Sequence, residues 1–257
     1  MKPFSFVFLF GALLGATLCA EEPQREEGPG VKFELCTHPQ ATRVSGFASE
    51  KFLSGDFRLR QILVVAPDSP ECRKTIETAH NQFAQIGTDQ EVWNRVRIGG
   101  VFTSSDVMAS VYPPESRTPY YSGDQISQKY LWRSLGWLAP DLVIVWKTGD
   151  KLQLGLPNSA DDQLRQVSKD FMLPLVDLEE THLASALTSA ASPPAQVGHI
   201  PAVELTAPVE DFSTVVTQIL TQLAQQGLPK ISNAHTELID RKFRQPLEVC
   251  RQLDQVY

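Results

Sequence analysis

Gln61-Ile62-Leu63-Val64-Val65-Ala66 runs into Pro67-Asp68-Ser69-Pro70-Glu71, and this junction decides the reading of the chain. Four consecutive apolar residues describe a strand covered on both faces, as in a sheet sandwiched between helices. The turn that follows has Asp68 or Ser69 to cap a helix and Pro70 at the favoured first helical position. Glu71 to Ile86 then places Ile76, Ala79, Phe83 and Ile86 at helical spacing. A second strand is expected over Val96–Phe102, and a long loop rich in Ser, Pro and Tyr over 103–124. A helix follows over Gln125–Leu138 and a third strand over Leu142–Val145. Helix Ala160–Phe171, strand Leu173–Val176, helix Glu179–Ala190, strand Ile200–Leu205 and an amphipathic helix from Phe212 to Leu223 complete the alternation. Strand–helix alternation of this kind predicts a three-layer α/β/α fold with a central mixed, mostly parallel sheet.

The 257 residues are enough for one sizeable α/β domain. The expected boundaries are 1–20 for a signal peptide, 21–57 for a linker and N-terminal extension, 58–228 for the α/β domain and 229–257 for a helical extension. The first segment has Lys2, an apolar run from Phe4 to Leu18 and small residues before Glu21-Glu22. It reads as a secretory signal, with the cut after Ala20 or Cys19, and predicts a secreted or periplasmic protein. It is too short to span a bilayer, and no later stretch is long and apolar enough to do so.

The formal charge is −7. Removing residues 1–20 takes Lys2 away and leaves 22 basic against 30 acidic residues, a charge of −8. That balance, with no basic block, speaks against nucleic acid or an anionic membrane as the main partner. Three cysteines remain after the signal: Cys36, Cys72 and Cys250. Either one pair bridges in an oxidising compartment, for which Cys36 with Cys250 would tie the ends together, or all three stay thiols. No C-x-x-C or Cys/His cluster suggests structural zinc.

In open α/β sheets, ligands gather at the carboxyl ends of strands. Two loops therefore carry the candidate site, Pro67–Glu71 and Lys147-Thr148-Gly149-Asp150. Asp68 and Glu71 are residue types that bind metal, but a hydrolytic zinc needs a third ligand and an open position for water. The end of the third strand offers Lys147, a cation that would repel a metal. The histidines at 38, 80, 182, 199 and 235 are scattered: none lies four residues from another or three before a Glu. Plainer roles compete for each candidate. Asp68 and Ser69 suit a helix cap, Glu71 suits the helix dipole, Lys147 suits a loop charge paired with Asp68, and Trp146 suits either the core or ligand stacking. Tyr112, Tyr120 and Tyr121 lie in a loop long enough to cover a cleft.

Three segments resemble the zinc carboxypeptidase family in its broad sense, including succinylglutamate desuccinylase-like proteins. They are Gln61–Glu71, Tyr120-Tyr-Ser-Gly123 with Pro140-Asp-Leu-Val-Ile144, and Ile200-Pro-Ala-Val-Glu-Leu-Thr-Ala-Pro208. The resemblance implies zinc-ligand positions at Asp68, Glu71 and Lys147, of which only Glu71 keeps the family's residue type. The general-base position falls on Thr206, with Glu204 two residues earlier on the same strand face. The family's Asn-Arg substrate-carboxylate motif is missing between 103 and 122, where Arg117 is the one arginine. What this implies is a family member that has lost its metal site and needs no cofactor. It would bind a peptide or small acidic molecule through Lys147, Thr206, Trp146 and Arg117. Two alternatives carry an activity: a metallohydrolase using zinc on Asp68 and Glu71 with Glu204 as base, and a GDSL/SGNH-like esterase. The esterase would use Ser69 as nucleophile, Gly99-Gly100 as an oxyanion donor and Glu179 with His182 as acid and base.

Overall fold

A computed structural model of the chain describes residues 31–36, 42–48, 60–85, 96–114, 125–138, 140–158, 160, 162–189 and 200–226. Among the described residues eight strands form one sheet: β1 Val31–Cys36, β2 Val44–Ala48, β3 Arg60–Pro67, β4 Val96–Thr103, β5 Leu142–Thr148, β6 Gln153–Pro157, β7 Leu175–Leu178 and β8 Ala202–Ala207. The helices are α1 Pro70–Gln85, α2 Ser105–Met108, α3 Gln125–Leu138, α4 Asp162–Asp170, α5 Leu183–Thr188 and α6 Val209–Gln226. The strand order is β1-β2-β4-β3-β5-β8-β6-β7. The inner strands β4, β3, β5 and β8 run parallel, as does β7 beside β6. Antiparallel pairing joins β1 to β2, β2 to β4 and β6 to β8. This is the expected three-layer mixed sheet.

Strand alternation sorts the core into two halves. Ile62, Val64 and Ala66 of β3 pack with Ile76 of α1, Leu164 of α4 and Phe212 of α6. Leu63 and Val65 face the other way, with Val107 of α2, Leu131 and Trp132 of α3, and Leu183 and Leu187 of α5. Each fully buried aliphatic side chain contributes about 1.5–3 kcal/mol, so a strand covered on both faces is held from both sides.

Several local expectations change. Residues 31–48 supply β1 and β2, so the sheet begins before residue 58. Gln153–Pro157 is a strand, β6, that sequence reading passed over; its five residues are too few to show a period. Tyr112 is buried core rather than a cover for a cleft. Its ring stacks on Trp132 at a centroid distance of 5.9 Å, and its hydroxyl donates to the Val107 carbonyl at 2.7 Å. The helix expected from Glu179 starts only at Leu183, because residues 179–182 form a turn in which His182 N–H donates to the Glu179 carbonyl. Residues 1–30, Arg117, Tyr120, Tyr121, Cys250 and the extension 229–257 lie outside the described residues.

Along the sheet, β3 is flanked by β4 on one side and β5 on the other. The chain leaves β3 for β4 through α1 and reaches β5 through α3, on opposite faces. This is the reversal of strand order at which a crevice opens beyond the carboxyl ends. The loop after β3 and the end of β5 border it.

Candidate functional site

The β3 end is organised by Arg73. Its Nε donates to Asp68 Oδ1 at 2.8 Å, and its Nη2 lies 2.7 Å from the same oxygen. Nη2 also donates to Ser45 Oγ of β2 at 2.6 Å, and the guanidinium sits 4.5 Å over the Phe102 ring. The planar fork thus ties the turn to two other strands. Ser69 Oγ accepts from the Cys72 N–H at 3.1 Å, so Ser69 caps α1. Glu71 is exposed in the first turn of α1. Burial of Cys72 pushes its thiol above the ordinary 9.0; its hydrogen bond with Ser69 opposes the shift and the nearby Glu71 charge adds to it.

The β5 and β8 ends carry a different cluster. Lys147 opposes Thr206 across the parallel pair, and Glu204 stands two residues earlier on the same face of β8. That diagonal is within reach of a lysine, and Lys147 Nζ lies 2.8 Å from Glu204 Oε1. The other carboxylate oxygen, Oε2, lies 3.2 Å from His182 Nδ1. Glu204 is only 8% exposed, whereas the side chains of Lys147 and His182 are about one-third exposed. The carboxylate is therefore an anchor beneath two nitrogen groups. Room for it comes from Gly155 on β6, which pairs with Glu204: a Cβ there would stand 2.6 Å from Leu178 Cδ2 and 3.2 Å from Glu204 Cβ.

His182 is placed by the turn before α5. The Tyr112 N–H donates to the Thr181 carbonyl at 2.9 Å, fixing the residue before it to the buried Tyr112–Trp132 stack. His182 occupies the N-cap position of α5 but makes no side-chain cap bond, which leaves its ring for Glu204.

These contacts revise several sequence expectations. Lys147 pairs with Glu204, not Asp68, because Arg73 has already taken Asp68. Trp146 belongs to the core: it is fully buried, stacks on Phe212 at 3.7 Å and donates to the Ala207 carbonyl at 3.2 Å. Side chains alternate along a strand, so the residue beside Lys147 must point into the opposite layer. Glu204 is not a free base, since each of its oxygens already meets a nitrogen. Thr206 is half-buried beside Lys147. Gly99 and Gly100 sit inside the ladder, opposite Leu63 and Val64, and offer no oxyanion loop. His182 pairs with Glu204 rather than with Glu179, and Ser69 serves as a cap. Arg73 is the partner that sequence reasoning missed, and His182, weighed there only as the base of an esterase, was not expected beside Glu204. Arg73 had a signal, since it lies one helical turn beyond the capping Ser69; the contact of His182 with Glu204 had none.

The donor set does not fit zinc. Of the three positions at which the resemblance puts ligands, Asp68 is held by a guanidinium, Glu71 is exposed on the helix and Lys147 is itself a cation. Among the described residues no group of three or more His, Cys, Asp or Glu side chains could hold a metal ion.

No protein-family model matches the sequence, and no curated protein matches it. Solved structures do resemble the fold. A metallo-carboxypeptidase from Burkholderia cenocepacia aligns with a TM-score of 0.48 at 9% identity, over 78% of this chain and 65% of its own. This chain thus spans a little under two thirds of that protein. A protein described as a metallopeptidase, from Shewanella baltica OS155, gives 0.46 at 10% identity over 77% of this chain and 86% of its own. A protein of the succinylglutamate desuccinylase/aspartoacylase family from Shewanella amazonensis SB2B gives 0.37 at 12% identity, over 74% and 71%. With TM-scores below 0.5 and identities of 12% or less, these likenesses say nothing about activity.

Proposed function

We propose that this is an exported, metal-free binding module, a pseudoenzyme that takes a peptide or small acidic ligand at the carboxyl ends of β5 and β8. One observation carries the reading: Lys147 Nζ, at the strand end where the resemblance expects a metal ligand, is held 2.8 Å from a buried carboxylate. The Glu204 anchor fixes the ammonium without enclosing it, and an ammonium retains further donors for an incoming carboxylate. Arg73 on Asp68 supports the same reading, because both strand ends meet carboxylates with cations. The alternatives need groups that are already engaged. The metallohydrolase needs Asp68 free of Arg73 and Glu204 free as a base, and the esterase needs Ser69 beside a histidine base.

The test is a titration of the full chain with acetate, the simplest monocarboxylate, followed by calorimetry. Saturable binding that weakens about tenfold or more in Lys147→Ala is the expected result. Unchanged binding in that variant would refute the assignment. Export is tested separately, by sequencing the N-terminus of the protein recovered from outside the cytoplasm. A start at Glu21 or Ala20 is expected, and an intact Met1 in the recovered protein would contradict it.

A further inference from the structure

The Glu204 carboxylate can only accept hydrogen bonds, so the proton on the His182 ring belongs on Nδ1, the nitrogen 3.2 Å from Oε2. In the neutral ring Nε2 is then an acceptor, turned away from Glu204. Among the described residues nothing pairs with it. Lys147 presents the opposite chemistry, donors only. One buried carboxylate thus holds a donor group on one oxygen and a ring with an acceptor on the other. The formal charges of Lys147 and Glu204 cancel, so the pair carries no surplus positive charge to favour a dianion.

We infer that His182 is a specificity-determining residue of this site. The ligand class it selects is a small monocarboxylate with a hydrogen-bond donor on the neighbouring carbon, as in a 2-hydroxy acid. The carboxylate goes to Lys147 Nζ, and the hydroxyl donates to His182 Nε2. This inference rests on the reading of Lys147 given above and adds to it what is read beside the charge. A site built to hydrogen-bond a ligand hydroxyl discriminates against the analogue that lacks one, because its own polar group is then left unmatched. Glu204 acts through the other two as a positioning residue.

The experiment compares L-lactate, propionate and inorganic phosphate on the full chain labelled with 15N-histidine. Binding is read by calorimetry and by the ring-nitrogen resonances of His182. Lactate should bind about fivefold tighter than propionate, and phosphate no tighter than lactate. Lactate should shift the Nε2 resonance of the unmutated protein more than propionate does, a readout that needs no variant to fold. His182→Phe should abolish the preference while keeping propionate binding, and His182→Gln, whose amide oxygen can accept, should restore part of it. Lys147→Ala should weaken both acids. Equal binding of lactate and propionate, both lost in Lys147→Ala, would overturn the role of His182 and leave the lysine site standing. A preference that survives in His182→Phe would do the same. Tighter phosphate binding would overturn the charge argument. No binding of any acid, or binding indifferent to Lys147→Ala, would remove both readings.

Discussion

The turn after β3 and the paired ends of β5 and β8 border the same crevice, and each centres on a carboxylate held by a cation. They are built in different ways. Asp68 and Arg73 are five residues apart, on one turn and the helix it opens, with the pair partly in solvent. Lys147, Glu204 and His182 come from two strands and a separate turn, with the carboxylate nearly buried. The first arrangement finishes a helix start. The second orders two partly exposed side chains over a buried anchor, which a helix cap does not require. Proximity to the crevice alone would give both equal claim to a ligand; their construction separates them.

The comparison can be sharpened by substitutions, beginning with the largest effect. Trp146→Ala should cost about 3–5 kcal/mol in denaturant unfolding, because it empties the stack on Phe212. A loss below about 1 kcal/mol would return Trp146 to the list of ligand contacts. For the β5/β8 cluster, a double-mutant cycle of Lys147→Ala and Glu204→Ala should give a coupling of about 1–3 kcal/mol. The equivalent cycle of Asp68→Ala and Arg73→Ala should fall in the range of exposed pairs, about 0.2–1 kcal/mol. Reversal of that order would break the contrast. Ser69→Ala should cost about 1 kcal/mol by removing the cap. It should also leave any esterase activity unchanged, as followed by a phosphonate label.

Cys72 offers a smaller effect with a definite sign. Burial raises its folded-state pKa above the unfolded 9.0, so the native protein holds the thiol proton more tightly. That contribution to stability is present below the unfolded value and fades as pH rises through the folded one. Iodoacetamide at pH 8.5 should therefore modify Cys72 more slowly in the native chain than in urea, as read on its tryptic peptide. Equal rates would contradict the burial.

What was legible in the sequence follows the same division between local and distant. The apolar run Ile62–Val65 and the Asp68-Ser69-Pro70 cap depend on neighbours along the chain, and both are where pattern and capping chemistry put them. Gln125–Leu138 is likewise a helix over its full expected range. Trp146 was ambiguous because an aromatic at a strand end suits core and ligand alike; only the position of Phe212 in α6 decides. The link from His182 to Glu204 depends on β8 lying between β5 and β6 and on a turn pinned by Tyr112. Those are tertiary facts with no local signature. Gly155 hides for a similar reason, since its small size matters only against Leu178 and Glu204.

The central claim is that these strand ends hold a charge-paired, metal-free site. Its most direct test is metal analysis by mass spectrometry of purified protein lacking residues 1–20, after dialysis against micromolar zinc. The account predicts a chain without stoichiometric zinc. About one zinc per chain, lost together with any hydrolytic activity on chelation, would contradict it.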